Sequence, residues 1–187
     1  MPMSYWRLKL RAMALLLLGR SASAEAVFGA MLARWPDDGY ALSSRSYLRA
    51  QLGRRDAAIE DARHLVDTHP EHSAGAWFNL AFLLAQNDQA PEAEAAFRSA
   101  LALDARLDRA WYGLGLALIR QGRHDEAVEA LRRNTELQPM SPYGWYQLAR
   151  VHMDRRQPEE ARKIIRHLQG FEPRIAAQLE RETGLAS

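Results

Sequence analysis

The chain has 187 residues, 48% of them apolar and 26% charged, which excludes a disordered polymer and fits one ordinary domain or one short repeat array. Its formal net charge is only +2, with 25 Lys and Arg against 23 Asp and Glu, so neither a polyanion-binding nor a polycation-binding character dominates. Cysteine is absent, which excludes disulfides and thiolate metal sites, and no apolar run reaches the ~20 residues of a membrane span.

The first stretch, LKLRAMALLLLGRSASAEA from Leu8 to Ala26, fits two descriptions. Basic residues (Arg7, Lys9, Arg11), an apolar run from Ala12 to Leu18 and the small triplet Ala22-Ser23-Ala24 outline a secretory signal with its cleavage site. The same residues also fit the first helix of a folded repeat. Gly19 stands 34 residues before Gly53, Pro36 stands 34 before Pro70, and Ala24 stands 34 before Ala58. This phase favours the helix reading, with GRSASAEA as a turn and the start of a second helix. It places the protein in the cytoplasm. The signal reading would place it in the periplasm or at a membrane.

A second repeat is expected over residues 39–73, with one extra residue in the turn HPEHSAG. Its first helix, YALSSRSYLRAQL, sets Arg45 where the pattern asks for leucine and Arg49 where it asks for an aromatic. From there the period is explicit: Trp77, Trp111 and Trp145 are spaced by 34 residues, and so are Leu80, Leu114 and Leu148 and the small residues Ala81, Gly115 and Ala149. Ala93, Ala127 and Ala161 stay in step, each followed four residues later by a large apolar residue (Phe97, Leu131, Ile165). Pro139 and Pro173 match as well, with Ala105 the odd member. These positions predict repeats over 74–107, 108–141 and 142–173. Each is a pair of helices joined by a turn in which glycine (19, 53 and 122) supplies φ > 0. Residues 174–184 form an amphipathic end helix that sets Ile175, Ala176 and Leu179 on the last repeat. The in-phase tryptophans are expected to be buried, so truncation of Trp111 is expected to cost roughly 3–5 kcal/mol. Ser187 closes a short tail.

The run Trp111-x2-Leu114-Gly115-x2-Leu118, Ala127-x3-Leu131, Pro139 resembles the signature of the tetratricopeptide repeat family, and residues 77–97 and 145–173 repeat it. The resemblance implies an all-α, right-handed superhelical array (an α-solenoid) of about five helix-turn-helix repeats plus a capping helix, as a single domain over residues 1–187. It also implies that the first helices of successive repeats line a concave groove that holds a partner peptide or helix. On that implication the groove positions are Tyr47 in the second repeat and Phe78, Asn79, Phe82 and Gln86 in the third. The fourth repeat adds Arg109, Tyr112, Leu116 and Arg120, and the fifth adds Tyr146 and Arg150. An aromatic recurs in one phase at Phe78, Tyr112 and Tyr146. Some members hold a terminal carboxylate with a Lys/Asn/Asn/Lys/Arg clamp. The matching positions here are Ser43, Tyr47, Asn79, Arg109 and Gly113, of which only Asn79 and Arg109 fit, so that clamp is not expected.

No phosphate loop, nucleophile elbow or dinucleotide fingerprint is present. His69-x2-His72 is half of a metal site without evident further ligands, and His152 reads as a packed structural histidine. Neither an enzyme, a cofactor, a metal nor a small-molecule substrate is therefore expected. The leading reading is a protein-interaction scaffold. The alternative is a self-associating structural subunit that uses its apolar first helix, envelope-associated assemblies included. Nucleic-acid binding is disfavoured because acids nearly balance the arginines and no basic run interleaves with aromatics. Alanine and arginine richness with only two lysines points to a GC-rich bacterial genome.

Overall fold

A residue in the left-handed region closes every helix pair of the chain. In the computed structural model, which describes residues 2–71 and 73–185, these residues are Gly19, Gly53, Asp88, Gly122 and Arg156, with φ of 68°, 77°, 56°, 71° and 57°. Glycine adopts this backbone without cost, whereas Asp88 and Arg156 hold it against the Cβ clash that disfavours it. The pairs are α1 (Met3–Leu17) with α2 (Ser21–Leu32), α3 (Gly39–Gln51) with α4 (Arg55–Thr68), and α5 (Ala74–Gln86) with α6 (Ala90–Leu103). They continue with α7 (Asp108–Arg120) and α8 (His124–Leu137), then α9 (Pro142–Asp154) and α10 (Pro158–Gln169), and end on α11 (Pro173–Thr183). Among the described residues there is no strand. His72 and Ser187, singled out in the sequence, lie outside the described residues.

The helices form two compact units, residues up to Gln89 with α1–α5 and residues from Ala90 with α6–α11. Within each unit every helix packs on its neighbours in sequence, and α11 packs on α10 and also touches α9. Starts are fixed locally. The side chains of Asp38 and Ser73 accept from the amides of Ala41 and Ala76 at 2.8 and 3.0 Å, and Pro142, Pro158 and Pro173 occupy first-turn positions.

The core is built at the in-phase small residues. Ala24, Ala58, Ala93, Ala127 and Ala161 on the second helices are all fully buried, as are Ala12, Ala81 and Ala149 on the first helices. At the second repeat the small residue is Ser46, whose hydroxyl donates to the Ala58 carbonyl at 2.8 Å, so the two backbones nearly touch. The same closeness at the fourth repeat excludes a side chain: a Cβ on Gly115 would lie 2.8 Å from Leu131, and one on Gly113 would lie 2.3 Å from the Phe97 ring.

The tryptophans depart from the expectation of burial. Trp77, Trp111 and Trp145 are half-buried, and each spends its polar edge on the turn before its helix. Their indole N–H groups donate to the carbonyls of Pro70, Ala105 and Pro139 at 2.7, 2.9 and 2.9 Å. These acceptors are the residues of the proline phase, Ala105 included, so the backbone carbonyl there does work that proline is not needed for.

The arginines of α3 are absorbed by a charge network in the first unit. Arg45 donates from Nε and Nη2 to both oxygens of Asp61 at 2.9 and 2.6 Å, and Arg49 donates to Asp61 at 2.9 Å and to Glu25 at 3.1 Å. Arg54 donates to the second oxygen of Glu25 at 2.6 Å. Asp61 and Glu25 are only 4% and 8% exposed. Two repeats later the positions of Arg45, Arg49 and Asp61 are held by Leu114, Leu118 and Ala130, all buried. An ionic trio thus replaces an apolar one, and the helix keeps its packing because Asp61 supplies the charge that the arginines need.

The second unit repeats one part of this arrangement. Glu94 lies two repeats on from Glu25 and Arg123 two repeats on from Arg54, and Arg123 donates to Glu94 at 2.6 Å. Burial pushes the Glu94 carboxyl up, but hydrogen bonds from Gln121, Arg98 and Arg123 outweigh it and hold the group below the ordinary carboxylate value. At the intervening junctions the glutamate position is Ile59 or Val128 and the arginine position is Gln89 or Gln157.

Two stability outcomes follow from these contacts. Asp61→Ala leaves Arg45 without a carboxylate and Arg49 with Glu25 alone, and should cost about 3–5 kcal/mol, whereas the triple change Arg45→Leu/Arg49→Leu/Asp61→Ala should return stability to the starting value or above it. Denaturant titration checks both, and a triple variant as weak as the single one would refute the account. Trp111→Phe keeps most of the ring and loses the indole donor, so it should cost about 1 kcal/mol, read from the same titration.

Candidate functional site

The first-helix face of the first unit presents aromatics to solvent. Tyr47 on α3 is 63% exposed, and Phe82 on α5 is 48% exposed; the two share one repeat phase, to which Met13 on α1 also belongs. The Tyr47 hydroxyl accepts from the Gln51 amide at 2.7 Å, one turn further along the same helix. Phe78 and Phe82, four apart on α5, stack with ring centroids 6.3 Å apart and planes 22° from parallel. Asn79 and Gln86 are exposed on the same helix and bring amide donors and acceptors beside the rings.

In the second unit the equivalent face is more polar. Tyr112 and Leu116 on α7 are half-buried, with exposed Arg109 and Arg120 at the two ends of that helix. On α9 the exposed Arg150 places its guanidinium 5.8 Å from the centroid of the Tyr146 ring. Tyr146 itself is tied to the end helix, because its hydroxyl donates to Glu182 Oε2 at 2.6 Å. This bond raises the phenol pKa, with burial adding to the effect, and lowers that of Glu182, which also accepts from Gln178 at 2.7 Å. The three aromatics of one phase therefore have different surroundings: Phe78 stacks on its own helix, Tyr112 is half-buried, and Tyr146 is latched by α11.

Sequence reasoning missed the Tyr146–Glu182 latch. Its only trace was the acidic end of RIAAQLERETG, which reads as a solvent face until the helix is placed beside α9. It also missed an open polar cleft of about 520 Å³ in the second unit, lined by residues of α8, α9 and α10 with Arg155 and Gln157 between the last two. Charges in this cleft are largely paired: Arg155 meets Asp125 at 2.7 Å and Arg123 meets Glu126 at 2.5 Å. The buried His152 holds Gln157 through Nδ1 at 2.9 Å, a structural role, as its position in the repeat implied. Among the described residues no group of three or more His, Asp or Glu is arranged to hold a metal ion.

The tetratricopeptide repeat family model matches residues 9–73, 48–107, 78–142 and 112–170. No curated protein matches the chain in sequence. Among solved structures, the MamA protein superposes with a TM-score of 0.86 at 20% identity, covering 100% of this chain and 99% of that one. MamA 41-end from Desulfovibrio magneticus RS-1 gives 0.82 at 19% identity, over 97% and 98% of the two chains. YrrB, a TPR protein with an unusual peptide-binding site, gives 0.81 at 16% identity, over 91% and 88%. Identities this low establish a shared fold.

Replacing Glu182 by alanine should release the Tyr146 phenol, so that it ionises at lower pH, nearer the ordinary value of about 10. Ultraviolet absorbance during an alkaline titration reads this change, and an unshifted Tyr146 transition would show that the latch does not exist in solution.

Proposed function

Because the chain belongs to the tetratricopeptide repeat family, we propose that it is a protein-interaction scaffold that binds a partner peptide or helix on its first-helix faces and catalyses no reaction. The observation that carries this reading is the pair of solvent-exposed aromatics, Tyr47 and Phe82, in one repeat phase of the first unit. An exposed aromatic ring gains nothing in the free protein and a large desolvation term when a partner covers it, which is why such residues dominate interface energetics. Asn79 and Gln86 lie on the same helix as Phe82 and can satisfy the backbone groups of an extended ligand. The second unit contributes a face of different chemistry, with Tyr112 and Leu116 between arginines at positions 109 and 120 and with Arg150 on the next first helix. The fold shared with YrrB, for which a peptide-binding site is described, supports the same reading. Family membership supports a non-catalytic role.

Tyr47→Ala and Phe82→Ala test the assignment. Each should reduce capture of the native partner about tenfold or more, while the melting temperature stays within a degree or so, because exposed side chains contribute little to the core. Undiminished capture by both variants would refute the face as drawn.

A further inference from the structure

Exposed apolar surface in the first unit is most concentrated on α1, where Leu10, Met13 and Leu17 take the repeat positions of Asn79, Phe82 and Gln86. Met3, Trp6, Leu10, Met13 and Leu17 are all exposed, Leu10 by 63% and Leu17 by 89%. Their spacing of three and four residues in alternation places them on one stripe of the helix. The buried residues of α1, Tyr5 and Ala12, fall outside that stripe. Arg7 and Arg11 flank one edge of the stripe by helical position, and Lys9 flanks the other, its ammonium 4.0 Å from the Tyr40 ring centroid. Residues 2–24 contain four cations (Arg7, Lys9, Arg11, Arg20) and no acid. The next carboxylate, Glu25, has both oxygens bound by arginines.

We infer that α1 lays this stripe into the surface of an anionic lipid bilayer. An apolar stripe bearing a tryptophan and edged by basic residues is the arrangement that seats a helix at the boundary between headgroups and acyl chains. The helix lies along the surface and does not cross it: at 15 residues it is about 22 Å long, and no helix among the described residues is long and apolar enough to span a membrane. Charge decides the occupant. Pairing α1 with the α1 of a second copy would bring six cations together with no anion on either helix, whereas anionic headgroups supply the missing negative charge. Tyr47 and Phe82 lie on α3 and α5, outside this helix, so membrane docking and partner binding can be tested by changing different helices.

Flotation of the full chain with vesicles tests the inference. The protein should float with phosphatidylglycerol/phosphatidylcholine vesicles, bind phosphatidylcholine vesicles far more weakly, and lose the difference as salt rises. Leu10→Asp/Leu17→Asp should weaken binding by at least about tenfold without changing the melting temperature, since both side chains are exposed. Arg7→Gln/Arg11→Gln should lose about 30-fold on the anionic vesicles only. Equal flotation of the Leu10→Asp/Leu17→Asp variant would overturn the inference. So would absence of flotation together with a dimer in light scattering that this variant dissolves. Tyr47→Ala and Phe82→Ala, which leave α1 unchanged, should float as the parent chain does, which keeps a failure here distinct from a failure of the scaffold reading.

Discussion

In the second and fourth repeats the two helices meet at a small residue of the first, and much of the architecture follows from that contact. At Ser46 the crossing is tight enough for a hydroxyl to reach a backbone carbonyl of the partner helix, and at Gly115 it leaves no room for a methyl group. Close crossing shortens the distance over which Phe28, Phe97, Leu131 and Ile165 must reach, so these side chains are completely enclosed although each repeat is only two helices thick. It also fixes which faces remain outward. Positions on the far side of α3 and α5 have no second helix to meet, so Tyr47 and Phe82 stand in solvent. The surface available to partners is thus set by the packing rule and not by the identity of the surface residues.

The helix pairs were legible because the period acts on residue types with strong steric meaning: glycine at a left-handed turn, alanine at a crossing, tryptophan and leucine on one stripe. The role of the tryptophans was less legible. A large apolar residue in phase reads as core, yet the indole sits at the rim with its N–H on a turn carbonyl. The arginines of α3 illustrate a deeper limit. Arg45 and Arg49 contradict the repeat signature when each is read alone, and the compensating acids lie 16 and 24 residues away on other helices. The signature specifies small and apolar positions only, so it cannot show that Asp61 stands where another repeat has alanine for the same reason that Arg45 stands where it has leucine.

The candidate faces were legible as helix positions but not as environments. Assigning Phe78, Tyr112 and Tyr146 to one phase correctly identifies equivalent backbone sites, yet each ring has a different neighbour. The end helix determines the fate of the last one, through a glutamate that sequence periodicity had no cause to pair with a tyrosine. Chemistry that depends on two elements meeting is invisible until both are placed, whereas chemistry carried by one helix, such as the Phe78–Phe82 stack, can be anticipated from spacing alone.

The alternation at the junctions has a consequence for how this protein can be cut and lengthened. Buried glutamate faces arginine at the first and third junctions, and Ile59 or Val128 takes the glutamate place where a glutamine follows at the second and fourth. Excising one repeat would set a buried carboxylate opposite a glutamine, or a branched aliphatic opposite a guanidinium, and the register of charges would fail although the small residues stayed in step. Excising or inserting two would preserve every pairing. The smallest interchangeable module of this array is therefore a double repeat, and its grammar is written in polar residues that the single-repeat signature leaves blank.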